Sequence, residues 1–183
     1  MTMTRRGLIV GAASLTIAAG TEALAGGEIA MQPDSRWRFF TDGVMGGVST
    51  GRMEFLSEDG TRFARLTGHV STANRGGFIQ IRRDLSEPPP KTAEGVRIVV
   101  RGNDQGYFIH LRTTGTVLPW QYYQAGFQAT RRWETLRLPF TAFAPSGALL
   151  RKVPLPGSLT SVALVAFGRD YDAEVDLREI GFY

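Results

Sequence analysis

The sequence predicts an all-β fold, a single sandwich, on three observations. Runs with period-two alternation or β-rich content recur at spacings of about 8 to 15 residues from Trp37 onward. Clusters of Gly, Pro, Asn and Asp separate those runs. No stretch offers a convincing amphipathic helix.

In chain order the candidate strands are Trp37–Phe40, Gly51–Phe55, Arg62–Val70, Phe78–Arg82 and Val96–Arg101. They continue with Tyr107–Arg112, Gln121–Phe127, Trp133–Pro139, Ser161–Phe167 and Glu174–Phe182. Turn chemistry divides them at Glu58-Asp59-Gly60, Asn74-Arg75-Gly76-Gly77, Pro88-Pro89-Pro90, Gly102-Asn103-Asp104 and Pro154 to Gly157. In the Tyr107–Arg112 strand, Tyr107, Ile109 and Leu111 alternate with Phe108, His110 and Arg112. One face is therefore buried and the other is mixed, with room for a ligand. Trp120-Gln121-Tyr122-Tyr123-Gln124 sets adjacent rings on opposite faces, so one of Tyr122 and Tyr123 looks outward, as a platform for a sugar or a partner side chain.

The N-terminus reads as an address. Arg5 and Arg6 precede a Gly- and Ala-rich apolar stretch from Gly7 to Gly20, and Ala23 and Ala25 follow at A-x-A spacing. At about 1.5 Å per residue this weakly hydrophobic stretch falls well short of the roughly 30 Å a spanning helix must cover. Residues 1–25 are thus expected to be a signal peptide, and the mature chain to lack a transmembrane span. Thr4-Arg5-Arg6-Gly7-Leu8-Ile9 resembles a bacterial twin-arginine signal, which predicts an exported, periplasmic protein. Residues 26–183 then form one domain with one core.

Composition narrows the function classes. The 183 residues include no cysteine, which removes disulfides, thiolate metal sites and a Cys nucleophile together. The net charge of +4 is a mild excess carried almost wholly by scattered arginines, with Lys91 and Lys152 the only lysines, so no nucleic-acid partner is expected. No cofactor-binding loop of the Walker or dinucleotide type is present, and no cofactor is expected.

Three constellations bear on chemistry. Asp42-Gly43-Val44-Met45-Gly46-Gly47-Val48-Ser49 is either a tight corner between strands or a loop whose bare amides meet a ligand, and the corner is preferred. Gly47-Val48-Ser49-Thr50-Gly51 matches the G-x-S-x-G nucleophile elbow. A serine hydrolase built on Ser49 would have to draw on His69 or His110, with Asp59 or Asp104, and the elbow's strand-before, helix-after context is missing. Asp170, Asp172, Glu174 and Asp176 could supply oxygens to Ca²⁺ if the chain curls, or else share a solvated strand face; their spacing is not that of a helix-loop-helix calcium loop. His69 and His110 lack a second His at ligand spacing, so no transition-metal site is expected.

Trp37, the run Asp42–Ser49, Asn74-Arg75-Gly76-Gly77-Phe78, Ile81-Arg82, Tyr107, Trp120-Gln121-Tyr122 and Leu138-Pro139-Phe140 with Phe143 resemble, in order, the signature of the complex I intermediate-associated protein 30 family. That resemblance implies a galactose-binding-like jelly roll, similar to some carbohydrate-binding modules, and no catalysis. It also implies an assembly role toward the respiratory NADH dehydrogenase complex. Some plant members add a dinucleotide-binding domain that this chain lacks. The expected function is a chaperone-like binding module acting on a protein partner in the cell envelope, with a respiratory-complex subunit as one candidate partner and a carbohydrate-binding module as the alternative. Candidate contact residues are Asp42, Gly43, Met45, Gly46, Gly47, Ser49, Asn74, Gly76, Gly77, Arg82, His110, Arg112, Trp120, Gln121, Tyr122 and Tyr123.

Overall fold

The computed structural model describes residues 29–183; the expected signal segment lies outside them. Twelve strands form two six-stranded antiparallel sheets. Their ranges are β1 Ile29–Met31, β2 Arg38–Thr41, β3 Thr50–Glu58, β4 Thr61–Val70, β5 Phe78–Asp84 and β6 Gly95–Gly102. The second half of the chain supplies β7 Gln105–Thr113, β8 Tyr123–Ala129, β9 Glu134–Pro139, β10 Ala144–Pro145, β11 Leu159–Phe167 and β12 Tyr171–Phe182. One sheet runs β3-β4-β12-β6-β9 with β1 also on β12; the other runs β10-β8-β7-β11-β5-β2. Every expected strand is present, and the helical content of the described residues is limited to short 3-10 turns.

Alternation explains the packing. Tyr107, Ile109 and Leu111 of β7 are fully buried, as are Ile79 and Ile81 of β5 and Val162 and Leu164 of β11. They meet Leu66, Ile98, Val175 and Leu177 from the opposite sheet in one core. β12 stays amphipathic over twelve residues because its register against β6 shifts between Leu177 and Glu179. One extra residue there moves the inward set from Ala173, Val175 and Leu177 to Ile180 and Phe182. The Tyr107 hydroxyl ties the two sheets: it accepts from Glu174 N at 2.9 Å and lies 2.6 Å from Asn103 Oδ1. Burial pushes that phenol above its usual range.

The outer face of the β12 sheet is closed by its own charges. Asp176, 2% exposed, accepts from Arg65 at 2.7 and 2.8 Å and from Arg101 Nε at 2.8 Å. Arg101 reaches on to Glu58, and Trp133 carries the guanidinium groups of Arg101 and Arg178 over its ring at 4.6 and 4.0 Å.

The glycine-rich run forms a corner between β2 and β3, as preferred from the sequence. A 3-10 turn over Asp42–Met45 is capped by Thr41, whose hydroxyl accepts from Gly43 N at 3.1 Å. Asp42 has no solvent exposure, and its carboxylate gathers four donors. These are Ser49 N at 3.0 Å, Ser49 Oγ at 2.5 Å, Gly77 N at 2.6 Å and Phe78 N at 3.3 Å. Burial alone would raise the Asp42 pKa, but the Ser49 hydroxyl and the amides of Gly77, Ser49 and Phe78 outweigh it and hold the carboxyl below its usual range. Two glycines are required by proximity. A Cβ at Gly47 would sit 2.3 Å from Asp42 Cγ, and one at Gly76 would sit 2.3 Å from Asp42 Oδ2.

Replacing Asp42 with Asn should cost about 2–3 kcal/mol near neutral pH, since two or more amides lose an ionised acceptor. Because the folded pKa lies below the unfolded one, this stabilisation is complete above the unfolded value near 4 and disappears as pH falls through the folded pKa. Urea titrations across pH should therefore show an acid limb in the native protein that flattens in D42N; parallel limbs would refute the role. Thermal unfolding should place Gly76→Ala about 1–3 kcal/mol below the native protein, for want of space beside Asp42.

Candidate functional site

The knot around Asp42 uses most of the corner residues for the fold. Asp42, Gly47, Ser49, Gly76 and Gly77 turn toward one another, so of these Asp42 and Ser49 offer no side chain to a ligand. Ser49 Oγ bonds Asp42 and accepts from Ser71 N at 3.0 Å, and neither histidine is among its partners. His69 pairs with Asp172 at 2.8 Å, and β3 begins at Thr50 where a nucleophile elbow needs a helix. The sequence match to G-x-S-x-G is thus a by-product of a corner. What the corner does present is its tip. Val44, Met45 and Val48 are 74%, 61% and 48% exposed, beside exposed Gly43 and Gly46. Asn74 lies exposed with φ +56 in the adjoining turn, a left-handed position that Asn tolerates.

The acidic run does not converge. Asp170 accepts from the amide and hydroxyl of Thr72, Asp172 pairs with His69, and Asp176 is held between Arg65 and Arg101. Among the described residues no group of three or more His, Asp or Glu side chains is placed to hold a metal ion.

A second region lies on the outer face of the β7 sheet. Register places Gln124, His110, Ala163, Arg82 and Arg38 in one row across β8, β7, β11, β5 and β2. The next row carries Arg112, Ser161 and Asp84. Over this face Tyr122 stacks on His110, with ring centroids 4.1 Å apart and planes 7° from parallel. Phe167 meets both rings edge-on, at 5.9 and 6.4 Å, and Phe108 meets Phe167 edge-on at 6.0 Å. Under these rings the outer side of the sheet is shielded: Ala163 is 2% and His110 9% exposed.

Shielding leaves polar atoms short of partners. Arg82 Nε is buried and makes no hydrogen bond, while His110 Nε2 and Gln124 Oε1 are buried beside each other as cross-strand neighbours without a well-formed one. Burial pushes the His110 imidazole down to about 3, with the neighbouring Gln124 amide opposing, so the ring is neutral at physiological pH. Arg82 stacks on Phe40 at 4.6 Å.

The Trp120–Gln124 expectation holds in its main point. Tyr123 is 2% exposed in the core, and Tyr122 faces outward on His110. Tyr123 is thereby removed from the contact set, and so is Gln121, which is buried and accepts from Leu118 N at 3.0 Å to shape its own loop. Trp120 is exposed. Ser146, which sequence reasoning missed, holds this segment: Tyr122 N donates to Ser146 Oγ at 2.9 Å and Ser146 Oγ to the Trp120 carbonyl at 3.1 Å. Gln124, Ala163 and Phe167 were missed for a different reason, since only the strand register reveals that they flank His110.

No helix among the described residues is long and apolar enough to cross a membrane. No curated protein sequence matches the chain. Among solved structures it is similar to the family 11 carbohydrate-binding module of the cellulosomal cellulase Lic26A-Cel5E of Clostridium thermocellum. The TM-score is 0.70 at 10% identity, over 85% of this chain and 94% of that one. The same module in complex with a β-1,3-1,4-mixed-linked tetrasaccharide gives 0.66 at 10% identity, over 84% and 94%. A family 30 carbohydrate-binding module gives 0.52 at 10% identity, over 71% and 72%. At such identities the likeness establishes a jelly-roll sandwich and nothing finer. The sequence profile of complex I intermediate-associated protein 30 matches residues 29–170, a span that holds the Asp42 corner, the Asn74 turn and the Trp120-Gln121-Tyr122 segment, and the chain therefore belongs to that family (CIA30).

Proposed function

We propose that the protein is a non-catalytic binding module of the cell envelope that holds a protein partner, as the family name describes for its members, with a respiratory-complex subunit as the partner class. The observation that carries this reading is the tip of the Asp42 corner. Val44, Met45 and Val48 stand exposed on a loop whose two ends, Asp42 and Ser49, are tied to each other and to Gly77 and Phe78 by four hydrogen bonds to one carboxylate. Apolar area covered there favours association, and a loop anchored at both ends loses less ordering entropy on binding than a free one. The twin-arginine-like segment at the N-terminus supports the envelope as its location.

A second reading, glycan binding, is favoured by one specific feature, the Tyr122–His110 ring pair on the outer face of the β7 sheet. Sugars stack on such rings and hydrogen-bond to polar groups beside them. All three of those similar structures are carbohydrate-binding modules by name, one of them in complex with a tetrasaccharide.

A photo-crosslinking side chain placed at Val44 in the native cell should yield one dominant adduct, a respiratory-complex subunit by mass spectrometry. The pair Val44→Glu and Met45→Glu should abolish co-isolation of that subunit while shifting stability by no more than about 0.5 kcal/mol, as surface changes do. Equal adducts from a probe at Lys91, or none from Val44, would overturn the partner assignment.

A further inference from the structure

Arg82, Asp84, Arg112, Thr116, Thr160 and Ser161 line an open groove of about 400 Å³ on the outer face of the β7 sheet. That volume falls in the range of roughly 300–1,000 Å³ typical of small-molecule sites. Its floor is low because β11 contributes small side chains there, Thr160 and Ser161 in the lining and Ala163 in the row beside it. Ala163 sits between His110 and Arg82 in the row, and Ser161 between Arg112 and Asp84. The flanking strands β7 and β5 are two strand spacings apart, about 9.6 Å.

The groove is undersupplied with negative charge. Asp84 is its one carboxylate, and it is shared: Arg38 bonds it directly and Arg82 lies 3.8 Å away. Arg112 has no carboxylate partner among the described residues. It is held instead by the carbonyls of Thr116 and Leu118 at 3.1 and 3.0 Å. Three guanidinium groups therefore face one acid. Burial, with Arg38 and Arg112 adding to it and Asp84 opposing, holds the Arg82 pKa below its ordinary value. Arg82 Nε remains buried without a hydrogen-bond partner. The charge points to an anion, while the hydroxyls of Thr160 and Ser161, and the Tyr122 ring stacked on His110 in the next row, point to a hydroxylated ring carrying that anion; the Thr116 hydroxyl is already engaged by Thr113.

We propose that this groove binds a carboxylated saccharide, its carboxylate between Arg82 and Arg112 and a neighbouring sugar ring against Tyr122. The proposal rests on the glycan reading above and adds to it the charge of the ligand. A guanidinium fork matches a carboxylate in two parallel hydrogen bonds, which a neutral sugar cannot return.

The test is calorimetric titration of the mature protein with an oligogalacturonate, a neutral β-glucan oligosaccharide of equal length and inorganic polyphosphate. The uronate should bind best, and Arg82→Gln and Arg112→Gln should each weaken it by at least about tenfold, the scale of losing a charge-assisted hydrogen bond. Tyr122→Ala should weaken both saccharides, and Arg131→Gln, on a separate exposed ion pair with Asp104, should change neither. A neutral glucan that binds as tightly as the uronate would overturn the charge assignment and leave glycan binding standing. Failure of every saccharide to bind would overturn both. Equal binding of polyphosphate, or an equal loss in R131Q, would reduce the groove to diffuse positive potential and overturn the proposal. The comparison of uronate with glucan on the unaltered protein decides the matter even where R82Q is unstable.

Discussion

A buried carboxylate in need of donors organises one end of this sandwich. An ionised Asp42 without solvent would be costly unless its oxygens were saturated, and the chain saturates them from two distant segments. Ser49 comes from the start of β3, and Gly77 and Phe78 come from the entry to β5. The same constraint explains why glycine stands at 47 and 76, where any Cβ would enter the space of the acid. The corner is thus a cross-link without a covalent bond, in a chain that has no cysteine to make one.

The two outer faces of the sandwich treat charge in opposite ways. On the β12 sheet, Asp176 and Glu58 are matched by Arg65 and Arg101, and Trp133 is covered by Arg101 and Arg178. There each of those two acids has a guanidinium partner. On the β7 sheet the arginines outnumber the acids, and Arg82 Nε stays buried without a partner. The surplus of guanidinium groups over carboxylates is what sets the β7 face apart and leaves it prepared to meet an anion.

What can be read from the sequence follows from the range of each interaction. Alternation is local, so the strands and the opposite facing of Tyr122 and Tyr123 are legible in the residue pattern alone. The short β1 and β10 escape it because pairing, not pattern, makes them strands. The role of Asp42 escapes it as well, since its donors lie seven and thirty-five residues away. Gln121 and Ser49 look like contact residues in the sequence because their partners, Leu118 N and Asp42, are known only once the loops close. The row from Gln124 to Arg82 depends on the register of four strands, which no single stretch of sequence specifies.

The pairing of β1 with β12 has a consequence in time. Ile29, Ala30 and Met31 align with Phe182, Gly181 and Ile180, so the first strand of the described residues has no neighbour until β12 has left the ribosome. β12 is also the sole link between β4 and β6 in its sheet. During synthesis that sheet exists only as separate pieces until β12 has been made, and it closes as a whole only then. A sheet built this way is completed late, and until β12 arrives its pieces have no common strand to join them.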